Sequence, residues 1–224
     1  MNLGRILDAA TDLVVHGGFD ALSMGRLAKE LDYTPGALYR YYASKDALIA
    51  AMTAQVIRDF TTVLLQATSL VPADATLERV LVPLLTYREL ARTAPHRFGL
   101  LSMLLATPHV LVADDAEAAP AMLAITAALT PLARALDTAR QTGALRFPGE
   151  AAGPAVVAFS AVHGLLQLRK QEHRVPSLFD LDGLVRLSLR SLLVGWGADP
   201  AQVDAALINV SALGDLVARA GGMP

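Results

Sequence analysis

Residues 33–48 read YTPGALYRYYASKDAL. Between Thr34 and Lys45 this stretch sets three tyrosines, Arg40 and Lys45 close together in a chain that is otherwise strongly aliphatic. A packed core has no use for hydroxyls and fixed charges at such density, so the face they form is expected to lie against something polar. Thr34-Pro35 marks the start of a short helix. Threonine is expected to cap it, and proline fits the first helical position, where its missing N–H would have no partner anyway. The helix is expected to reach about Tyr42. Leu38 and Tyr42, four apart, then face the core, and Thr34, Ala37, Tyr39, Arg40 and Tyr41 look outward. Ser44 is expected to cap a long helix from Lys45 to about Ser69, with Leu48, Ala51, Met52, Val56, Phe60 and Leu64 on one side. Lys45 stands where its ammonium and the free N–H groups of a helix start can share one phosphate.

Upstream, Leu3, Ile6, Leu7, Ala10, Leu13 and Val14 fall at the spacing of a helix with one buried stripe, which His16-Gly17-Gly18 ends. A second short helix is expected after Ser23, whose hydroxyl can accept a first-turn N–H, and it buries Leu27, Ala28 and Leu31. Two short helices joined by a tight turn, with a first helix packed across them, have the dimensions of a helix-turn-helix. A helix of this kind fits the major groove, with its N-terminal residues near base edges and neighbouring hydroxyls, cations and N–H groups on phosphates.

These residues resemble the tetracycline-repressor (TetR) family of bacterial transcriptional regulators. The resemblance runs from Ile6 to about Leu48: Ile6 and Ala10, the break at Gly17-Gly18-Phe19, Ser23 with Leu27-Ala28, then Thr34-Pro35-Gly36-Ala37-Leu38-Tyr39-Arg40-Tyr41-Tyr42 and Ser44-Lys45-Asp46 with Leu48. It implies a homodimer whose two such units bind a pseudo-palindromic DNA operator, with a C-terminal body that dimerises and binds a small effector. It puts Tyr39, Tyr41, Lys45 and Ser23 on phosphates, and Thr34, Gly36 and Ala37, in the same turn as Pro35, nearest the bases. The chain departs from the family where Asp32-Tyr33-Thr34 replaces the usual Gly-Val-Ser and where Gly25 stands at a position often held by arginine. Aspartate can hold a left-handed turn at some cost. With few side chains able to grip a base edge, specificity is expected to rest on Arg26, Arg40 and DNA shape.

Bulk composition agrees with a globular chain and is otherwise neutral. The 224 residues are 54% hydrophobic, enough for a core, and the net charge of -2 with a pI of about 6.2 gives no global signal for nucleic acid. Within residues 1–48, Arg5, Arg26, Lys29, Arg40 and Lys45 oppose Asp8, Asp12, Asp20, Glu30, Asp32 and Asp46, so the unit is slightly acidic and a modest phosphate count is expected. The absence of cysteine excludes disulfides, thiolate metal sites and a cysteine nucleophile. The N-terminus lacks the order of a signal peptide, and the apolar runs FGLLSMLLATPHVLVA and AAGPAVVAFSAVHGLLQL are each interrupted by proline and histidine. A cytoplasmic protein without membrane contact is expected.

Further helices are expected over about 74–93, 96–106, 115–143, 150–173, 181–197 and 200–220, with no strand alternation, so the fold class is all-α. The domain division is a DNA-binding unit over residues 1–48 and a ligand-binding and dimerisation body over 49–224. In that body, Phe159, Ser160, His163 and Gln167 share a helical stripe with Val156. Tyr87, Arg88, Arg92 and His96 bracket a proline-terminated helix, and Phe98, Met103 and Met122 add adaptable apolar surface. Together they are the candidate effector site, since an apolar pocket with a few convergent polar groups suits a small molecule. An inward Arg88 or Arg92 would let the effector carry an anion. Ala161, Gly164 and Leu168, with Leu184, Leu187, Ser188, Ser191, Leu192 and Gly195, are assigned to a four-helix dimer interface. The final helix shows Val203, Ala206, Leu207, Val210, Leu213 and Val217 after an Asp199 cap, and its role is open between extending that interface and covering the pocket.

The expected function is a ligand-responsive regulator, a repressor released by a small hydrophobic effector. A helical lipid- or drug-binding protein that has lost specific DNA binding is the alternative. An enzyme is disfavoured: no nucleophile elbow, phosphate-binding glycine loop or metal-ligand spacing is present, no cofactor is implied, and Ser160-x-x-His163 has no visible orienting acid.

Overall fold

The computed structural model describes residues 3–106 and 115–220, the side chains of 106, 115–118 and 212–220 excepted. The expected break at Pro108 and the Leu213 and Val217 side chains lie outside the described residues. All described regular structure is helical: α1 (Leu3–Gly17), a 3-10 turn (Phe19–Ala21), α2 (Met24–Glu30), α3 (Pro35–Tyr39), α4 (Lys45–Ser69), α5 (Thr76–Thr93), α6 (Pro95–Ala106), α7 (Asp115–Gln141), α8 (Ala152–Leu166), α9 (Arg169–Glu172), α10 (Leu181–Gly195) and α11 (Pro200–Ala220). The chain divides into two compact units, Met1–Asp59 with Ala94–Ala127 and Phe60–Thr93 with Ala128–Pro224.

In the first unit α1 packs against α2 and α6, and α2 against α3. The α1 stripe is buried as its spacing predicts, apart from Leu3, which is exposed at the first turn. Gly17 and Gly18 end α1 for two different reasons. A Cβ on Gly17 would stand 2.5 Å from that of Ala21, and Gly18 adopts φ 72°, ψ 179°, a region open essentially to glycine alone. The Ser23 hydroxyl accepts the Arg26 N–H at 3.1 Å and caps α2.

At the other end of α2, Asp32 takes φ 58°, the left-handed position anticipated from the sequence. The Tyr33 N–H bonds the Ala28 carbonyl at 2.8 Å and the Asp32 N–H that of Lys29 at 3.3 Å, the paired bonds of a Schellman motif with aspartate where glycine is usual. A side chain in this conformation costs about 1–2 kcal/mol. Asp32→Gly is therefore expected to raise stability by about 1 kcal/mol, read as a higher urea midpoint at unchanged slope.

Two local expectations need correction. Thr34 sits at the N-cap of α3 with extended backbone, but its side chain makes no capping hydrogen bond. And α3 stops at Tyr39 rather than Tyr42: Tyr41 N–H and Tyr42 N–H both bond the Leu38 carbonyl, at 2.9 and 3.0 Å, which folds Arg40-Tyr41 into a closing turn. Ser44 caps α4 through the Ala47 N–H at 2.9 Å.

In the second unit α5 packs against α8 and α11, and α10 against α8 and α11. The Asp180 and Asp199 carboxylates cap α10 and α11 through the Gly183 and Gln202 N–H groups, at 3.1 and 3.0 Å. The final helix buries Val203, Ala206, Leu207 and Val210. It is tied down by a two-point Arg190–Asp204 pair at 2.6 and 3.0 Å, by Arg186 on the Ser211 hydroxyl and by Asn209 on Glu78. The helix expected over 150–173 is broken. α8 ends at Leu166, Leu168 N–H switches to the Leu165 carbonyl at 2.9 Å, and α9 begins at Arg169. By length and composition alone, Lys45–Ser69 and Ala119–Gln141 would suffice to cross a membrane, and half of the apolar window in the former is buried within the protein.

Candidate nucleic-acid interface and the polar cluster of the helical body

Leu38 is the one residue of α3 that is fully buried, and it anchors a helix whose other face is open. Thr34, Pro35, Gly36 and Arg40 are exposed and Ala37 is half-buried. Tyr39 and Tyr41 are 50% and 39% exposed, large aromatic groups that the core could have taken and did not. Tyr42 lies half in the core, and burial pushes its hydroxyl above the usual tyrosine range, against the opposing charge of Arg58. Ser23 is also exposed, and while its oxygen accepts the Arg26 N–H its hydroxyl hydrogen is left to donate outward.

Lys45 opens α4 and its Nζ donates to the Phe19 carbonyl at 3.3 Å, which leaves further N–H donors for a phosphate and ties the helix start to the turn after α1. The Arg26 side chain lines a cleft of about 230 Å³ together with Asp12, His16 and Glu30 over Ala9 and Leu13. Arg26 thus shares this cleft with two acidic residues, which the linear spacing did not reveal. Serine, tyrosine, arginine and lysine groups from α2, α3 and the start of α4 therefore belong to one small unit and remain exposed.

The residues assigned to an effector fall in both units. His96, Phe98, Met103 and Met122 belong to the first: Phe98 is fully buried, Met103 half-buried, and His96 and Met122 exposed. In the second, Tyr87, Phe159, His163 and Gln167 are brought together. The Tyr87 hydroxyl bonds His163 Nδ1 at 2.8 Å, and Gln167 Nε2 lies 2.8 Å from His163 Nε2. Phe159 stacks on His163 with centroids 5.5 Å apart and tilts against Tyr87 at 5.3 Å, and Phe60 meets Tyr87 edge-on at 5.9 Å. Burial, reinforced by the Arg169 charge, lowers the His163 pKa from the ordinary histidine value. Burial also raises the Tyr87 hydroxyl well above the tyrosine range, opposed by Arg169.

Ser160 is exposed and stands outside this cluster. Arg88 pairs with Asp182 at 2.6 Å and with Glu89, and the mostly exposed Arg92 also pairs with Glu89, so both cations are engaged by carboxylates. The cation that acts on Tyr87 and His163 is Arg169, which sequence reading left inside a continuous helix. Phe60 was read only as one of a buried row. No local signal marks the part of Phe60, because its ring contact is with Tyr87 on another helix.

Two short helices joined by a tight turn, the second exposed but for Leu38 and the half-buried Ala37, have the form of the helix-turn-helix found in DNA-binding proteins. A model of the bacterial regulatory proteins of the tetR family matches residues 6–52. The HTH-type transcriptional regulator UidR of Escherichia coli K12 is 41% identical over 51 residues, which cover 23% of this chain and 26% of UidR. The match thus spans about a quarter of the length of that curated relative. A solved protein of unknown function from Rhodococcus sp. RHA1 superimposes with a TM-score of 0.67 at 22% identity, over 88% of this chain and 96% of its own. The transcriptional regulator FadR from Bacillus subtilis, in complex with stearoyl-CoA, does so with a TM-score of 0.64 at 14% identity, over 87% and 99%. Residues 6–52 are thus similar to the N-terminal helix-turn-helix region of the bacterial regulatory proteins of the tetR family.

Proposed function

We propose that this chain is a transcriptional repressor that binds a pseudo-palindromic operator as a homodimer and is released by a small hydrophobic effector. One observation carries the reading: the stretch that matches the family contains α3, and around Leu38, the one buried residue of that helix, Tyr39, Arg40, Tyr41 and Lys45 remain exposed. Residues 1–48 take the DNA-binding role. Ser23, Tyr39, Tyr41 and Lys45 hold phosphates, Thr34, Pro35, Gly36 and Ala37 approach the bases, and Arg26 and Arg40 contribute to specificity.

Residues 49–224 bind the effector and dimerise. Support for dimerisation comes from the exposed small and apolar residues of two helices packed on each other, Val156, Val157 and Gly164 on α8 with Leu187, Ser191 and Gly195 on α10. Support for a hydrophobic effector comes from the aromatic and polar cluster around His163, and from the fold shared with a FadR bound to stearoyl-CoA. Effector binding favours an arrangement in which the two recognition helices no longer match the spacing of the half-sites. A regulator of this kind works in the cytoplasm and needs no catalytic group.

Fluorescence anisotropy on the DNA upstream of the chain's own gene, against a scrambled duplex at near-physiological salt, tests the reading. Selective binding at two protomers or more per site is expected. Equal, weak binding to both duplexes, repeated on genomic DNA, would favour a ligand-binding protein that has lost DNA recognition.

A further inference from the structure

Opposite charges share one cleft of the first unit without pairing. The cleft of about 230 Å³ is lined from α1 by Asp12 and His16 and from α2 by Arg26 and Glu30, all exposed, with the half-buried Ala9 and the buried Leu13 as its apolar part. Among the described residues, the Asp12 and Glu30 carboxylates and the Arg26 guanidinium form no ion pair and no hydrogen bond. Elsewhere the chain closes such gaps: Arg88, Arg92, Arg140, Arg186 and Arg190 each hold a carboxylate. The Arg26 backbone N–H meets the Ser23 cap, a bond that asks nothing of its side chain. His16 Nδ1 donates to the Asp12 carbonyl at 2.8 Å, which leaves the Nε2 lone pair of the neutral ring to accept a further N–H.

The volume falls below the roughly 300–1,000 Å³ of sites for drug-sized ligands, so an occupant is small. An anion alone would meet two carboxylates, and a cation alone would meet a guanidinium. A molecule that carries both charges a few bonds apart satisfies the two sides at once. We propose that this cleft binds a small zwitterionic amino acid. Its ammonium lies between Asp12 and Glu30 and donates to His16 Nε2, its carboxylate accepts from Arg26, and a short aliphatic side chain lies over Ala9 and Leu13. The bonds to both ends are charge-assisted, and each uses a group that the fold itself leaves unspent. The site belongs to the first unit and stands apart from the effector reading of residues 49–224.

The test is titration of the full chain with L-valine, followed by NMR through the backbone amides of Gly17 and Arg26. Isobutylamine and isovalerate are the matched probes, each being valine without one of its two charges. Valine is expected to give saturable shifts, and each probe to bind at least about tenfold more weakly. Arg26→Gln is expected to weaken valine about tenfold and isobutylamine not at all, whereas Glu30→Gln weakens both. Both replaced side chains are exposed and unbonded among the described residues, so the variants are expected to melt as wild type does. No saturable shift with valine, equal affinity for all three probes, or wild-type valine binding by Arg26→Gln would overturn the proposal and leave the cleft a solvated groove. The readout contains no DNA, so a loss of operator binding cannot imitate either result.

Discussion

Replacing Tyr39 and Lys45 together by alanine is expected to weaken operator binding by about 100-fold or more while the protein stays folded. Each protomer loses a hydroxyl donor and an ammonium, hydrogen bonds to charged phosphates are worth about 1.5–3 kcal/mol each, and a dimer loses every contact twice. The two substitutions also separate by salt dependence. Losing one lysine per protomer lowers the slope of log affinity against log salt by about 2 for the dimer, whereas losing the uncharged tyrosine leaves it in place. Lys45 also donates to the Phe19 carbonyl, so thermal melting is recorded alongside. Unchanged affinity in a folded double variant would remove the phosphate assignments.

Leu38→Ala is expected to cost about 2–5 kcal/mol, a large part of the roughly 5–15 kcal/mol that holds a typical domain together. Its side chain is fully enclosed and no other α3 residue is buried, so the cavity has no neighbour on that helix to fill it. DNA binding should fall with the stability of α3, but at low temperature, where the unit remains folded, the salt slope should match wild type because no phosphate donor has been removed. That pairing of lost stability with an intact slope distinguishes Leu38 from Tyr39 and Lys45, its neighbours in sequence. A melting temperature within error of wild type would show that Leu38 is not the anchor of the helix.

What could be read along the chain were features whose cause lies within a few residues. Ser23, Ser44 and Asp199 cap the helices they were expected to cap, since a cap needs only the next three positions. Asp32 adopts the left-handed turn because helix end and turn fall together there. Thr34 fits the same cap rule and does not follow it. The break after Leu166 had no sequence marker either: Gln167, Leu168 and Arg169 are all good helix formers, and neither glycine nor proline stands there. The converse holds at Pro83, which α5 accommodates in its interior. The polar cluster was half visible. The spacing of Phe159, His163 and Gln167 puts them on one stretch formed by α8 and its C-cap, but the hydrogen bond between Tyr87 and His163 joins residues 76 positions apart, and pairing at that range is decided by packing of α5 on α8. Arg88 and Arg92 pair instead with Asp182 and Glu89, which linear spacing did not reveal.

The central claim is that exposed α3 side chains from two protomers read paired half-sites. The most direct measurement is selection of bound fragments from the genomic DNA of the source organism by the purified protein, followed by sequencing. An enriched inverted repeat, with half-site centres separated by about one helical turn or a multiple of it, is the predicted result. Fragments enriched without any shared inverted repeat, or no enrichment over input, would contradict it.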